Sequence, residues 1–340
     1  MGLAFSPTAP DQVDRVRAFL AAAFGAAETA PFLNPAFVEW KWFAPRPGWN
    51  GPRSFVLAQG SALAAHGYAW PVTFLAPGGE VTSTRVCDWA GEPKSPGAGV
   101  LLFRKFGTLA DTLLAVGGSA ETQAILPRMG FARTGELALY ARPVRPFAQL
   151  AARPVRDVRA AARLARNLWW SRHPAAIGSQ GLEAVRVERF GPVPVPQPGP
   201  ENTPARRDPE LLNCMLACPA AVFAGYEIRA AGAVCGYFVL ARVNGQARIA
   251  DLWTTREWPA AYALALGTAA RDPATCEVAA AASSALRRRA IEACGFHARG
   301  ADPIYLFDPQ RRLAGAPPLD VQLLDGDECC LNNPEYPFWS

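Results

Sequence analysis

The sequence is poor in the residues that metal and redox chemistry draw on. It has three histidines, His66, His173 and His297, far from metal-ligand spacing, and its eight cysteines include no C-x-x-C pair. Cys87, Cys214, Cys218, Cys235, Cys276, Cys294, Cys329 and Cys330 fall mostly inside apolar segments. They read as reduced core thiols, with no metal site expected. No apolar run approaches the roughly 18 residues of a membrane helix, so no membrane partner is expected. Met1–Asp11 has neither a cationic stretch nor an apolar one, which argues against secretion and makes the cytoplasm the expected location. The Gly2 start matches a myristoylation signal only in its first residues and Ser6. Also missing are G-x-x-x-x-G-K-[ST], the third glycine of a dinucleotide fingerprint, and any Ser-His-Asp or Cys-His arrangement.

What is present is a globular composition. Half of the 340 residues are apolar and 19% are charged, a length and make-up that suit two domains of about 150 residues each. The net charge of +5 comes from arginine rather than lysine. Apart from Arg206-Arg207 and Arg287–Arg289 the arginines are scattered, so no nucleic-acid partner is expected. A weakly positive surface suits a polyanionic small molecule.

The stretch Arg85–Arg104 organises the chain. It reads as an apolar strand, a tight Gly/Pro/Ser turn, and an amphipathic helix beginning near Gly99 or Val100. A turn feeding a helix N-terminus is an anion site, because the first helical N–H groups lack partners and the axial dipole is positive there. Gly97 and Gly99 let backbone approach a phosphate closely. Lys94-Ser95-Pro96-Gly97-Ala98-Gly99 resembles the pyrophosphate loop of GNAT-type N-acyltransferases, Q/R-x-x-G-x-G/A, with Lys in the first position. The resemblance continues through a strand at 111–116 and a helix at 120–129 ending in Gly130-Phe131, about a third of the chain.

Read in order, Leu3–Ser6 is a short strand and Thr8–Asp11 leads into a helix with Val13, Val16, Phe19, Leu20 and Phe24 on one face. The aromatic segment Phe32–Trp49 reads either as part of an acceptor wall or as core packing. Strands are expected at 54–58, 62–74 and 81–90, with a hairpin turn at Ala76–Gly79, and a closing strand at 135–142. That order is one complete GNAT-like α/β unit with a mixed sheet.

The second half repeats the first. Arg248-Ile-Ala-Asp251-Leu-Trp253 echoes Arg85-Val-Cys-Asp88-Trp89, and Ser284-Ala285, nine residues, Gly295-Phe296 echoes Ser119-Ala120, nine residues, Gly130-Phe131. Tyr305 follows Phe296 by the nine steps that separate Tyr140 from Phe131. A tandem duplication follows, with domains expected at 1–145 and 146–340. The second copy has no glycine just after Asp251, and so reads as a degenerate repeat that closes a continuous sheet and walls the acceptor groove. Its other expected features are a helix over Val155–Trp170, a Pro-rich surface loop at 191–209, and an acidic then aromatic tail, either a docked arm or a contributor to amine binding.

The resemblance implies an acyltransferase that moves an acyl group from acetyl-CoA or another acyl-CoA to an amine of a small molecule or peptide, by direct attack in a ternary complex. The backbone of Trp89 and Ala90 would take the pantetheine arm. Lys94 and the amides of Gly97, Ala98, Gly99 and Val100 would take the pyrophosphate. Asp88 is the candidate proton acceptor, or a structural residue, since Asp251 repeats it; Glu92 and His66 are further options. The family often has Tyr four residues before the glycine at 130, but Leu126 stands there, leaving Tyr140, a serine such as Ser119, or water to protonate the thiolate. The alternatives are a non-catalytic acyl-CoA-binding or scaffolding protein of the same fold, and an aminoacyl-tRNA-dependent transferase.

Overall fold

Apolar side chains recur along residues 54–91 at strand spacing, and three strands form there. β1 (Ala4–Pro7), α1 (Val13–Phe24) and α2 (Pro35–Trp42) precede β2 (Ser54–Gln59), β3 (Ala62–Ala76) and β4 (Gly79–Gly91). α1 buries Val16 and Leu20 and stops at left-handed Gly25. Asn34 caps α2 by accepting from the amides of Ala36 and Phe37. β3 and β4 form a hairpin that turns at Ala76–Gly79, as the turn residues predict. α3 (Ala98–Phe106), β5 (Thr112–Val116), α4 (Ala120–Ile125) and β6 (Ala132–Pro143) follow. The helix expected over 120–129 is interrupted, because Pro127 cannot continue the α-helical bonding and starts a separate 3-10 turn, Pro127–Met129.

This computed structural model describes residues 2–152, 159–172, 177–333 and 335–340. After α5 (Pro146–Ala151), helix α6 is described over Ala160–Arg172; positions 155–158 of the expected helix lie outside the described residues. β7 (Leu182–Val187) leads into the proline tract, Gly191–Pro200, which carries no regular structure. β8 (Thr203–Pro204), α7 (Pro209–Leu216), β9 (Val222–Ala230), β10 (Ala233–Val243) and β11 (Gln246–Thr254) come next. The chain ends with α8 (Trp258–Ala270), β12 (Glu277–Ala282), α9 (Ala285–Ala293), β13 (His297–Phe307) and β14 (Leu319–Asp320). No helix among the described residues is long and apolar enough to cross a membrane.

The chain divides into two units that interleave in sequence. Unit 1 is residues 1–135 with 303–317, and unit 2 is residues 136–302 with 318–340. In unit 1 the strand order is β1-β2-β3-β4-β5-β13, antiparallel except for a short parallel step between β4 and β5. In unit 2 it is β6-β12-β11-β10-β9-β7, again with one parallel step, β11 to β12. Each repeat therefore gives up its last strand. Leu113–Val116 of β5 pair with Ile304–Phe307, and Glu277–Ala282 of β12 pair with Ala138–Pro143.

The repeated Gly-Phe has a structural cause. Gly130 and Gly295 end their helices at φ of 92° and 75°, a left-handed geometry that costs a residue with a Cβ about 1 kcal/mol. Phe131 and Phe296 then turn into the two cores. The unit 1 core packs Leu102, Phe103 and Phe106 of α3 against Phe55, Leu57 and Leu113, with Leu126 fully buried among them.

Candidate functional site

β4 and β5 are in register only over Ser83–Arg85 and Thr112–Leu114. Beyond Arg85, β4 runs on beside β3 alone, and its other edge is left without a ladder partner. In this free stretch the register with β3 slips by one residue: His66 faces Ala90 while Tyr68 faces Cys87. The extra residue is accommodated at Asp88, which sits at φ +48°. Such a bulge redirects side chains and amides locally.

Asp88 is held in this conformation from two sides. Its carboxylate accepts from the ammonium of Lys41, which is fully buried, also donates to the carbonyl of Phe32 at 3.0 Å, and lies within 6 Å of the ring centroids of Phe32, Phe37, Trp42 and Tyr68. Its backbone carbonyl lies 3.2 Å from Nδ1 of His66. Because a carbonyl only accepts, Nδ1 carries the proton. Nε2 then accepts from Ser54 Oγ at 2.9 Å, and Ser54 accepts from Thr8 Oγ1 at 2.7 Å. Burial pushes the His66 imidazole down to about 3, so the ring is neutral and the chain of bonds keeps one direction.

Four residues after the bulge the chain turns into α3. Ser95 N–H donates to the Glu92 carbonyl at 2.9 Å and Ala98 N–H to Ser95 at 3.1 Å. Gly97 takes φ +83° at the N-cap and offers no side chain to the helix. Of the four amides expected to bind an anion, that of Ala98 is therefore used by the turn. Those of Gly97, Gly99 and Val100 have no partner among the described residues. No acidic side chain lies in the first turn of α3, and Lys94 is exposed on the loop, so this end of the helix is electropositive.

The helix start is locked to β4. Trp89 Nε1 donates to the Gly99 carbonyl at 2.9 Å, and its ring packs edge-on against Phe103 with centroids 4.9 Å apart. A Cβ on Gly99 would lie 3.3 Å from Trp89 Nε1, and a Cβ on Gly91 3.3 Å from the Gly99 nitrogen. Gly91 thus keeps the approach to that amide open, a role the sequence reading did not give it. Lys41 was missed too; a single lysine inside the aromatic run Phe32–Trp49 was the available signal.

Tyr140 and Ser119 are each bonded within their own unit. Tyr140 belongs to unit 2, where it pairs with Ala280 and its hydroxyl donates to Glu292 at 2.8 Å. Burial and that carboxylate raise its pKa further above the usual tyrosine range. Ser119 caps α4 by accepting from the Thr122 amide at 3.2 Å.

Unit 2 repeats the geometry but fills it. β11 and β12 stay in register over Gln246–Ile249 and Glu277–Ala280 and then part, and the bulge leaves Ala250 as the extra residue. Asp251 is enclosed by Arg207 at 3.0 Å, Tyr237 at 2.8 Å and Gln322 at 2.6 Å. The segment Leu319–Gln322 closes this gap. Gln322 accepts from the Leu252 amide at 3.1 Å, and Val321 and Leu319 bond Ser283 at the end of β12. α8 begins with Trp258-Pro259, where proline offers no N–H, and Arg287 stacks on Trp258 at 4.4 Å.

No protein-family model matches the sequence, and no curated protein does. Solved structures do match the fold. The chain aligns with a GCN5-related N-acetyltransferase from Anabaena variabilis at a TM-score of 0.54 and 14% identity, covering 90% of this chain and 73% of that one. A GCN5-related N-acetyltransferase from Kribbella flavida gives 0.54 and 14%, covering 90% and 71%. A tandem GNAT protein from the clavulanic acid biosynthesis pathway gives 0.53 and 15%, covering 90% and 98%. The chain has the tandem GNAT fold.

Proposed function

We propose that this protein of tandem GNAT fold is an acyl-CoA-dependent N-acyltransferase whose unit 1 alone holds the donor. The observation that carries the reading is the set of unpartnered amides at Gly97, Gly99 and Val100, beside a strand edge that has lost its neighbour. In this reading the amides and Lys94 receive the diphosphate of coenzyme A, which a helix N-terminus stabilises through its N–H groups and dipole. The free edge of β4 at Trp89 and Ala90 receives the amide-bearing arm as a strand would. The acceptor is a neutral amine of a small molecule or peptide. Its nitrogen bonds to the thioester carbon, the carbon–sulfur bond breaks, the nitrogen loses a proton and the departing thiolate gains one. Acyl-CoA brings its own leaving group, so no protein nucleophile is required, and holding the two reactants in line is the main contribution asked of the protein.

One observation favours a second reading, binding without turnover: Leu126 occupies the position where the family often has tyrosine, and it is fully buried in the unit 1 core. Calorimetric titration with coenzyme A, run beside a thiol-release assay with acetyl-CoA and a panel of primary amines, separates the two. The transferase reading expects binding and amine-dependent thiol release. Binding without release on any amine favours the second reading, and no binding removes both.

A further inference from the structure

We propose that His66 is a positioning residue for acyl transfer: it fixes the Asp88–Trp89 peptide plane so that the Trp89 N–H meets the carbonyl oxygen of the bound thioester, with the buried Lys41–Asp88 pair as its buttress. The proposal rests on the donor reading above and gives Asp88 a role other than proton acceptor.

In a trans peptide the C=O and the following N–H point in opposite directions, and no cis bond occurs among the described residues. The Asp88 carbonyl is turned toward His66 on β3. The Trp89 N–H is therefore turned away from His66, to the side where β5 has already left β4. An amide fixed before the reaction begins can meet negative charge on a thioester oxygen without reorganising. A bulge residue at φ +48° would not hold that plane unaided. Here the imidazole fixes the carbonyl, Ser54 and Thr8 fix the imidazole, and Trp42 packs on the ring at 4.9 Å. The Asp88 carboxylate is meanwhile tied to an ammonium that has no exposure to solvent. Protonating it would leave that ammonium buried without a counter-charge.

Unit 2 supplies the contrast. The residue after Asp251 is Leu252, and its amide is capped by Gln322. The fold thus has one amide of this kind open and its counterpart closed by the chain itself.

The test compares the full-length protein with H66N, H66L and D88N. Asparagine places an N–H donor where Nδ1 stands; leucine does not. Binding of acetyl-CoA labelled with carbon-13 at the carbonyl is measured by calorimetry, and its carbonyl stretch by isotope-edited infrared difference spectroscopy. The stretch is expected to move to lower frequency on binding to wild type and H66N, to return toward the free value in H66L, and to fall between the two in D88N, where the buttress is lost. Where an amine is turned over, kcat falls at least about tenfold in H66L with KM for the donor little changed, the behaviour of a lost oxyanion donor. H66N restores most of it, and D88N, which leaves the Lys41 ammonium without its counter-charge, lowers kcat in part while leaving the shape of the pH profile unchanged. A carbonyl stretch identical in wild type and H66L overturns the proposal, as does a large kcat loss in D88N with an altered pH profile. If H66L fails to fold, D88N carries the test, and a carbonyl stretch in D88N identical to that of wild type overturns the proposal. Wild-type protein that does not bind acetyl-CoA overturns the donor reading itself, a result distinct from binding without a shift.

Discussion

The two clefts are built from equivalent strands, a bulge and a crossover helix, and they differ in what holds the first amide after the repeated aspartate. In unit 1 the chain beyond that point is glycine-rich, the helix starts on Gly97, and the amides at its mouth are bare. In unit 2 the same place holds a proline at the helix start and a segment, Leu319–Gln322, that bonds both parted strands. Duplication preserved the scaffold, while the proposed donor site is confined to one copy because bare amides need small residues and an empty gap. The repeated aspartates diverge in the same way. Asp88 meets one lysine, whereas Asp251 is enclosed by an arginine, a tyrosine and a glutamine.

The sharpest stability contrast is expected at Asp251. D251A strands the Arg207 guanidinium, leaving it Asp325 as its remaining carboxylate partner, and should cost about 3–5 kcal/mol in denaturant unfolding. Coenzyme A affinity of the folded fraction should not change, because that aspartate belongs to the filled cleft. A tenfold loss of affinity in D251A would mean the filled cleft is the donor site.

Adding a side chain at Gly91 should act in the opposite way. G91V brings a Cβ to 3.3 Å from the Gly99 nitrogen and is expected to weaken coenzyme A binding by about ten- to a hundredfold, which corresponds to roughly 1.4–2.8 kcal/mol. The melting temperature reports whether folding is spared. Calorimetry on wild type should give one molecule per chain; a stoichiometry of two breaks the comparison outright.

The acid limb of the stability profile depends on His66. Its folded value, about 3, lies below the ordinary 6.5, so the unfolded chain takes up a proton that the folded one refuses. Stability from this group is complete above pH 6.5 and is lost as pH falls toward 3, by about 1.4 kcal/mol per pH unit. Urea unfolding of wild type and H66N between pH 7 and 4 should show a shallower slope for H66N; equal slopes would remove the claim of a neutral buried ring.

The smallest effect belongs to Lys94. As an exposed cation beside the proposed diphosphate site, K94A should weaken coenzyme A binding by no more than about 1 kcal/mol, and less at 0.5 M salt than at 0.05 M. A salt-independent loss would show that Lys94 acts through the loop backbone instead.

Much of this was legible in the sequence because it is local. Strand periodicity, the Ala76–Gly79 turn and the Gly-Phe helix ends depend on neighbours a few residues apart, and the duplication shows in their repeated spacing. The loop at 94–100 was legible for the same reason. Lys41 and Asp88 are 47 residues apart and meet only when α2 covers β3 and β4. Tyr140 matched Tyr305 in spacing, yet each closes the sheet built mainly by the other repeat, since β6 pairs with β12 and β13 with β5.

By itself, then, the sequence determined two copies of one α/β pattern and a single glycine-rich turn before a helix, because backbone freedom at glycine and the spacing of apolar residues are properties of short stretches. Only the tertiary structure decided which carboxylate is neutralised, which amides stay bare, and that the segment from Leu319 to Gln322 fills the second gap. Charge pairing and the closing of a strand edge depend on which distant segments fold against each other, and local spacing does not encode that.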